Sequence, residues 1–213
     1  GTIGGMKKFL LPILFLLLAA GLAGWISLRR FERGHLYHPV AEIAATPAQY
    51  SLRYQDVQFN AADGTPLAGW WIPANSPRGT VVYCHGNADN AGSVACLAPE
   101  FFKRGFNVLL WDYRGYGASA GRPSEKGFYE DARAAFDAAK AMSDKLPILV
   151  YGHSLGAAVA VQLAQDRPVA GLIVDGGFLS SADLARRFYP HLPFDRLLSE
   201  AYDSGPKVAA LTN

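Results

Sequence analysis

Cysteine is nearly missing: the 213 residues contain two, Cys84 and Cys96. So sparse a supply excludes a disulfide-framed scaffold, and without a CxxC or a Cys/His cluster no zinc site is expected. Cys84 falls inside an apolar run directly before His85, so two packed free thiols are expected and a bridge is not. Excess charge is missing as well. Lys plus Arg number 20 and Asp plus Glu 18, a net charge of +2. Outside the first segment no basic stripe is present, which argues against a nucleic-acid partner or an acidic substrate. There is no internal repeat and no low-complexity tract beyond the N-terminal apolar run. With half the residues hydrophobic, an intrinsically disordered chain is also excluded.

What is present begins with that run. Phe9 to Leu28 carries no charged residue, and as a helix about 20 residues long it spans about 30 Å, the thickness of a bilayer's hydrocarbon core. The expected organisation is an upstream remnant at 1–5 ahead of Met6, a membrane anchor at 6–30, a connector at 31–50 and a folded domain from 51 to 213. A cleaved signal peptide is the competing reading of the run, with small residues near Ala19 to Gly24 to suit a peptidase. Lys7 and Lys8 before the span nearly balance Arg29, Arg30 and Arg33 after it. A cytoplasmic N-terminal tail leaves the soluble domain on the non-cytoplasmic side.

From residue 53 the hydrophobic pattern alternates strand and helix. Arg53 to Phe59 and Pro66 to Ile72 read as strands joined at Ala62-Asp63-Gly64. Thr80 to Cys84, Phe106 to Trp111, Pro147 to Tyr151 and Val169 to Asp175 read as further strands. Ala91 to Arg104, Ser124 to Met142 and Leu155 to Gln165 read as helices. An antiparallel start followed by β–α units predicts an α/β fold, a mostly parallel sheet with helices on both faces.

Gly152-His153-Ser154-Leu155-Gly156 follows an apolar strand and opens directly into a helix, the setting required of a nucleophile elbow. The serine must occupy a strained turn so that its hydroxyl stands clear of the sheet. Glycines two residues to either side leave room for the neighbouring strand and helix. The helix N-terminus favours negative charge developing at the reacting carbonyl. Ser154 is therefore the candidate nucleophile. His85-Gly86-Asn87-Ala88 ends the third strand, where such a fold draws one oxyanion-hole amide; the residue after the nucleophile supplies the other. The candidates are the backbone N–H groups of Asn87 and Leu155. His85 reads as a buried structural histidine. Asp112 and Arg114, in the loop Asp112-Tyr113-Arg114-Gly115-Tyr116-Gly117, read as a structural ion pair holding that loop.

Taken together, Trp70-Trp71-Ile72-Pro73, Val82 to Ala88, Asp112 to Gly117, Gly152 to Gly156, Phe178 to Ser181 and Tyr189-Pro190 resemble the α/β-hydrolase superfamily. The resemblance is to its serine aminopeptidase-like and depalmitoylase-like branch, and it covers Tyr37 to Asn213. It implies an α/β-hydrolase fold and a Ser–His–Asp hydrolase of esters, thioesters or amides with no metal or organic cofactor. Partners would be a small acyl substrate, a lipid or an acylated protein, and the membrane through the N-terminal helix.

The family places its acid after the seventh strand and its histidine after the eighth. Neither is found before Asn213, and both are expected beyond it, so the domain is expected to be incomplete at its C-terminus. His191, in a cap-like stretch, has nothing to position it as a base. Asp175, ending the sixth strand, is the better substitute acid; Asp203 has no such argument. The alternative function is a non-catalytic binding protein of the same fold that lacks the Asp and His of the triad.

Overall fold

The computed structural model describes residues 3–191, 193 and 197–211, with side chains from Pro12 onward. It falls into two compact units, Gly1–Leu36 and Tyr37–Asn213. Leu192, part of the cap-like stretch, lies outside the described residues, as do Gly1 and Thr2 of the upstream segment.

The first unit is one helix, α1, Ile3–Leu36. It runs past the 6–30 range expected for the anchor, because Arg29 to Leu36 contains no proline and only one glycine to stop it. Within it, Pro12–Leu36 is a 25-residue stretch with mean hydropathy 1.7 in its most apolar window, long and apolar enough to cross a membrane. Arg29 Nη1 donates to Glu32 at 2.8 Å, an i,i+3 pair at the polar end.

The second unit is built on six strands: β1 (Gln55–Asn60), β2 (Pro66–Ile72), β3 (Gly79–Cys84), β4 (Phe106–Trp111), β5 (Ile148–His153) and β6 (Gly171–Asp175). Their order in the sheet is β1-β2-β4-β3-β5-β6. β1 pairs antiparallel with β2, and β2 with β4. The β3–β4, β3–β5 and β5–β6 ladders are parallel. The turn between β1 and β2 closes where Gly64 N–H donates to Ala61 O at 2.9 Å, with Gly64 at φ 84°. This is a position that favours glycine.

Helices α2 (Ala98–Lys103), α3 (Glu125–Met142) and α4 (Leu155–Asp166) cover the sheet, followed by α5 (Ser181–Phe188) and α6 (Gly205–Ala210). Period-2 alternation divides the strands between two cores. On one face Trp70, Ile72, Tyr83, Val108 and Leu110 pack with Ala95, Ala98, Phe101 and Phe102. On the other, Trp111 meets Tyr113 edge-on and Tyr113 stacks on Phe128 of α3, at ring separations of 4.7 and 4.5 Å. The central strands β3 and β4 are buried along nearly all of their length, as a sheet covered on both faces requires, and β5 at every second residue. Among the described residues β6 forms one edge of the sheet, and Ile173 and Val174 are exposed there.

The helix expected over Ala91 to Arg104 is shorter. A 3-10 turn at Ala95–Leu97 precedes α2, which starts with Pro99 in its first turn. Proline tolerates that position and would break a longer helix, because it has no N–H to give. Ser124 and Ser180 cap α3 and α5, accepting from Gly127 N at 3.2 Å and Asp183 N at 3.0 Å.

Cys84 and Cys96 are both free thiols, but only Cys84 is packed. Cys96, in the 3-10 turn, is exposed, which corrects the expectation of a packed pair. That short turn offers less cover than the continuous helix inferred for it.

Candidate active site

Ser154 stands between the end of β5 and the start of α4 with φ 53° and ψ −117°. A side chain is disfavoured at that backbone conformation, and strain of this kind persists only where the surroundings over-determine it. Here the surroundings are specific. Ser154 N–H donates to Asp175 O on β6 at 2.8 Å, and Ser154 O accepts from Ala157 N at 3.0 Å. A Cβ on Gly152 would fall 2.6 Å from Ala157 Cα and from Ala160 Cβ, in the body of α4. A Cβ on Gly156 would fall 2.5 Å from His85 O and nearer still to Cys84 O. The glycine on each side of Ser154 thus lets helix and strand close on the turn.

The loop after β3 lies against the same turn. A Cβ on Gly86 would sit 3.6 Å from Ser154 Cβ and 3.3 Å from His153 Cδ2, so Ser154, Asn87 and Leu155 are brought into one neighbourhood by Gly86. Leu155 is the first residue of α4 and is buried. The Asn87 side chain is held, because its Oδ1 accepts from Tyr116 Oη at 2.7 Å and from His38 N at 3.1 Å.

His85 is buried, as expected of a structural histidine. Its Nδ1–H donates to Gly86 O at 2.8 Å, and its ring packs on Tyr113 with centroids 4.4 Å apart. Its Nε2 lies 3.5 Å from Asp112 Oδ1. Asp112 Oδ1 also accepts from Ala91 N at 2.7 Å, which ties the end of β4 to the loop after β3.

The expected Asp112–Arg114 pair does not form. The chain leaves β4 at Asp112 and turns, with Tyr116 N donating to Tyr113 O at 2.9 Å, so that each side chain finds its own partner outside the loop. Arg114 Nη2 donates to Asp131 Oδ1 at 2.7 Å and its Nη1 to Asp63 Oδ2 at 2.7 Å, while its backbone N–H donates to Asp131 Oδ2 at 2.9 Å. Hydrogen bonds from Arg114 hold the Asp63 carboxyl well below the usual carboxylate range. Burial raises that of Asp131 despite Arg114.

Asp175 sits beside Ser154 in the ladder. Its Oδ2 accepts from Tyr151 Oη at 2.7 Å and lies 3.2 Å from His153 Nδ1. The Tyr151 hydroxyl first, and then His153, lower its carboxyl below the ordinary value. His191 lies in an exposed turn. Among the described residues Ser154 Oγ makes no hydrogen bond to a histidine. The expectation of an acid and a base after Asn213 concerns positions outside the described residues.

Two arrangements escaped the sequence reading. The His153–Asp175 contact depends on the β5–β6 register, which pairs those two residues directly. The hold on Asn87 comes partly from a backbone N–H in the connector, and a backbone donor has no sequence signature.

A family model described as Serine aminopeptidase, S33 matches residues 75–203. An uncharacterized protein of Mycobacterium tuberculosis is 40% identical over 184 residues, covering 84% of this chain and 66% of the relative. The chain thus spans just under two thirds of that relative's length. The uncharacterized protein YfhR of Escherichia coli O157:H7 is 32% identical over 217 residues, covering 97% of this chain and 74% of YfhR. Among solved structures, an esterase of Pyrococcus furiosus superposes with a TM-score of 0.60 at 27% identity, over 84% of this chain and 70% of the esterase. The architecture is the α/β-hydrolase fold.

Proposed function

Since the chain belongs to the serine aminopeptidase S33 family of α/β hydrolases, we propose that it is a serine hydrolase that cleaves carboxylic ester, thioester or amide bonds through an acyl-enzyme on Ser154. The observation that carries this reading is the backbone of Ser154, strained at φ 53° between strand and helix. Natural chains retain such strain chiefly at functional sites. Esterases among the structural neighbours support the ester class.

In the proposed cycle Ser154 Oγ attacks the acyl carbonyl and gives its proton to a base. The carbonyl oxygen becomes an oxyanion held by the N–H groups of Asn87 and Leu155. Collapse expels the alcohol, thiol or amine with a proton, and water then hydrolyses the acyl-enzyme. The N-terminal apolar helix acts as a single-span anchor with the domain on the non-cytoplasmic side. It would keep the site close to lipids or acylated proteins.

Labelling of the intact protein with a fluorophosphonate tests the proposal. Wild type is expected to label and Ser154→Ala is not. A folded wild-type protein that does not label would favour a non-catalytic binding protein of the same fold.

A further inference from the structure

The connector that follows α1 is irregular over residues 37–46. These residues lie as a strap across the loop after β3. Tyr37 pins one end: its buried hydroxyl donates to Glu200 Oε2 at 2.8 Å and lies 2.7 Å from Tyr202 Oη. Glu200, itself buried, also accepts from Glu125 N at 2.5 Å. The next residue, His38, gives its backbone N–H to Asn87 Oδ1 at 3.1 Å. Val40 O then accepts from Asn90 Nδ2 at 3.1 Å and from Gly117 N at 2.9 Å, and Glu42 O accepts from Asn90 Nδ2 at 2.7 Å. Asn90 is fully buried in this contact. At the far end a Cβ on Gly92 would meet Ala45 O at 3.0 Å and Ile43 Cγ2 at 3.1 Å, so strap and loop are in close packing.

We propose that Asn87 is a positioning residue for the oxyanion hole and that the strap at 37–46 delivers part of its orientation, a reading that rests on the serine hydrolase function above. Two donors converge on Asn87 Oδ1: the His38 N–H from the strap and the Tyr116 hydroxyl from the loop after β4. Both torsions of a short amide side chain are fixed when its oxygen is held from two directions. The Cα that carries the candidate oxyanion donor is fixed with them. An oxyanion hole works only when its N–H groups are set in place before charge develops, and displacement of about 1 Å costs up to about a hundredfold in rate. His38 is two residues past Leu36, the end of α1. The segment that tethers the domain is therefore also a segment that aims its chemistry.

The test uses the intact protein in detergent micelles, with p-nitrophenyl butyrate turnover and fluorophosphonate capture of Ser154. Asn87→Ala removes the acceptor, Tyr116→Phe removes one donor, and His38→Pro removes the strap N–H. Each is expected to lower kcat and the maximal labelling rate about tenfold or more, with KM and melting temperature nearly unchanged. Should Asn87→Ala fail to fold, Tyr116→Phe and His38→Pro decide. Ser154-dependent turnover with wild-type kcat in these variants would overturn the positioning role and leave the hydrolase reading intact. A wild-type protein with neither Ser154-dependent turnover nor labelling would overturn that reading, and the positioning role with it.

Discussion

His153 and Asp175 face each other across the β5–β6 ladder, Nδ1 to Oδ2 at 3.2 Å, on either side of the hydrogen bond that holds Ser154. The Asp175 carbonyl accepts from Ser154 N while its carboxylate meets the side chains of Tyr151 and His153. One residue thus braces the turn through both backbone and side chain.

The lowered carboxyl of Asp175 gives this brace a pH dependence. A folded-state value below the unfolded one contributes stability that is full above the unfolded value, about 3.9, and is lost as pH falls through the folded value. Asp175→Asn is therefore expected to be less stable than wild type at about pH 5, and the gap to close as pH falls below about 3.9. Urea unfolding at a series of acid pH values measures it. A gap that widens on acidification would contradict the assignment.

Arg114 is the charge partner of fully buried Asp131. Removing one member of a buried pair leaves the other unpaired in a poorly solvating site. Arg114→Ala is expected to cost about 3–5 kcal/mol. Arg114→Lys should recover only part of this, because an ammonium cannot reproduce the two-point contact. Asp63 is exposed, so Asp63→Asn should cost far less than Arg114→Ala. Chemical denaturation ranks the three.

Relief of the strain at Ser154 has a predictable sign. Glycine accepts φ 53° and alanine does not. Ser154→Gly should unfold with about 1 kcal/mol more free energy than Ser154→Ala, although both lose fluorophosphonate labelling. Equal stability of the two would show an unstrained turn.

The two thiols should separate cleanly under native conditions. Burial pushes the Cys84 thiol up to about 12, while Cys96 is exposed. Since the thiolate is the reactive form, maleimide mass spectrometry should find Cys96 modified and Cys84 untouched until denaturant is added. Modification of both at one rate would place Cys84 at the surface.

Pattern on the page made much of this legible. β2 and β4 run over the residues read for them, because Pro66 to Ile72 and Phe106 to Trp111 are bounded by turn residues. β5 extends two residues past Tyr151, because His153 still pairs with Asp175. The setting of Ser154, strand before and helix after, could be read because glycine at 152 and 156 has a local steric reason. The partners of Arg114 could not. They lie at 63 and 131, and only the folded sheet brings them together. The strap was hidden for a different reason: it works through main-chain donors and acceptors at His38, Val40 and Glu42, which any sequence carries.

The hydrogen bond from Ser154 N to Asp175 O also has a consequence in time. β6 lies some twenty residues further along the chain than Ser154. A nascent polypeptide that has emerged only as far as α4 has the serine but nothing yet to hold it in its strained turn. The turn around Ser154 can be completed only after β6 has docked on β5. Until then the turn lacks its brace, however much of the rest of the sheet has already formed.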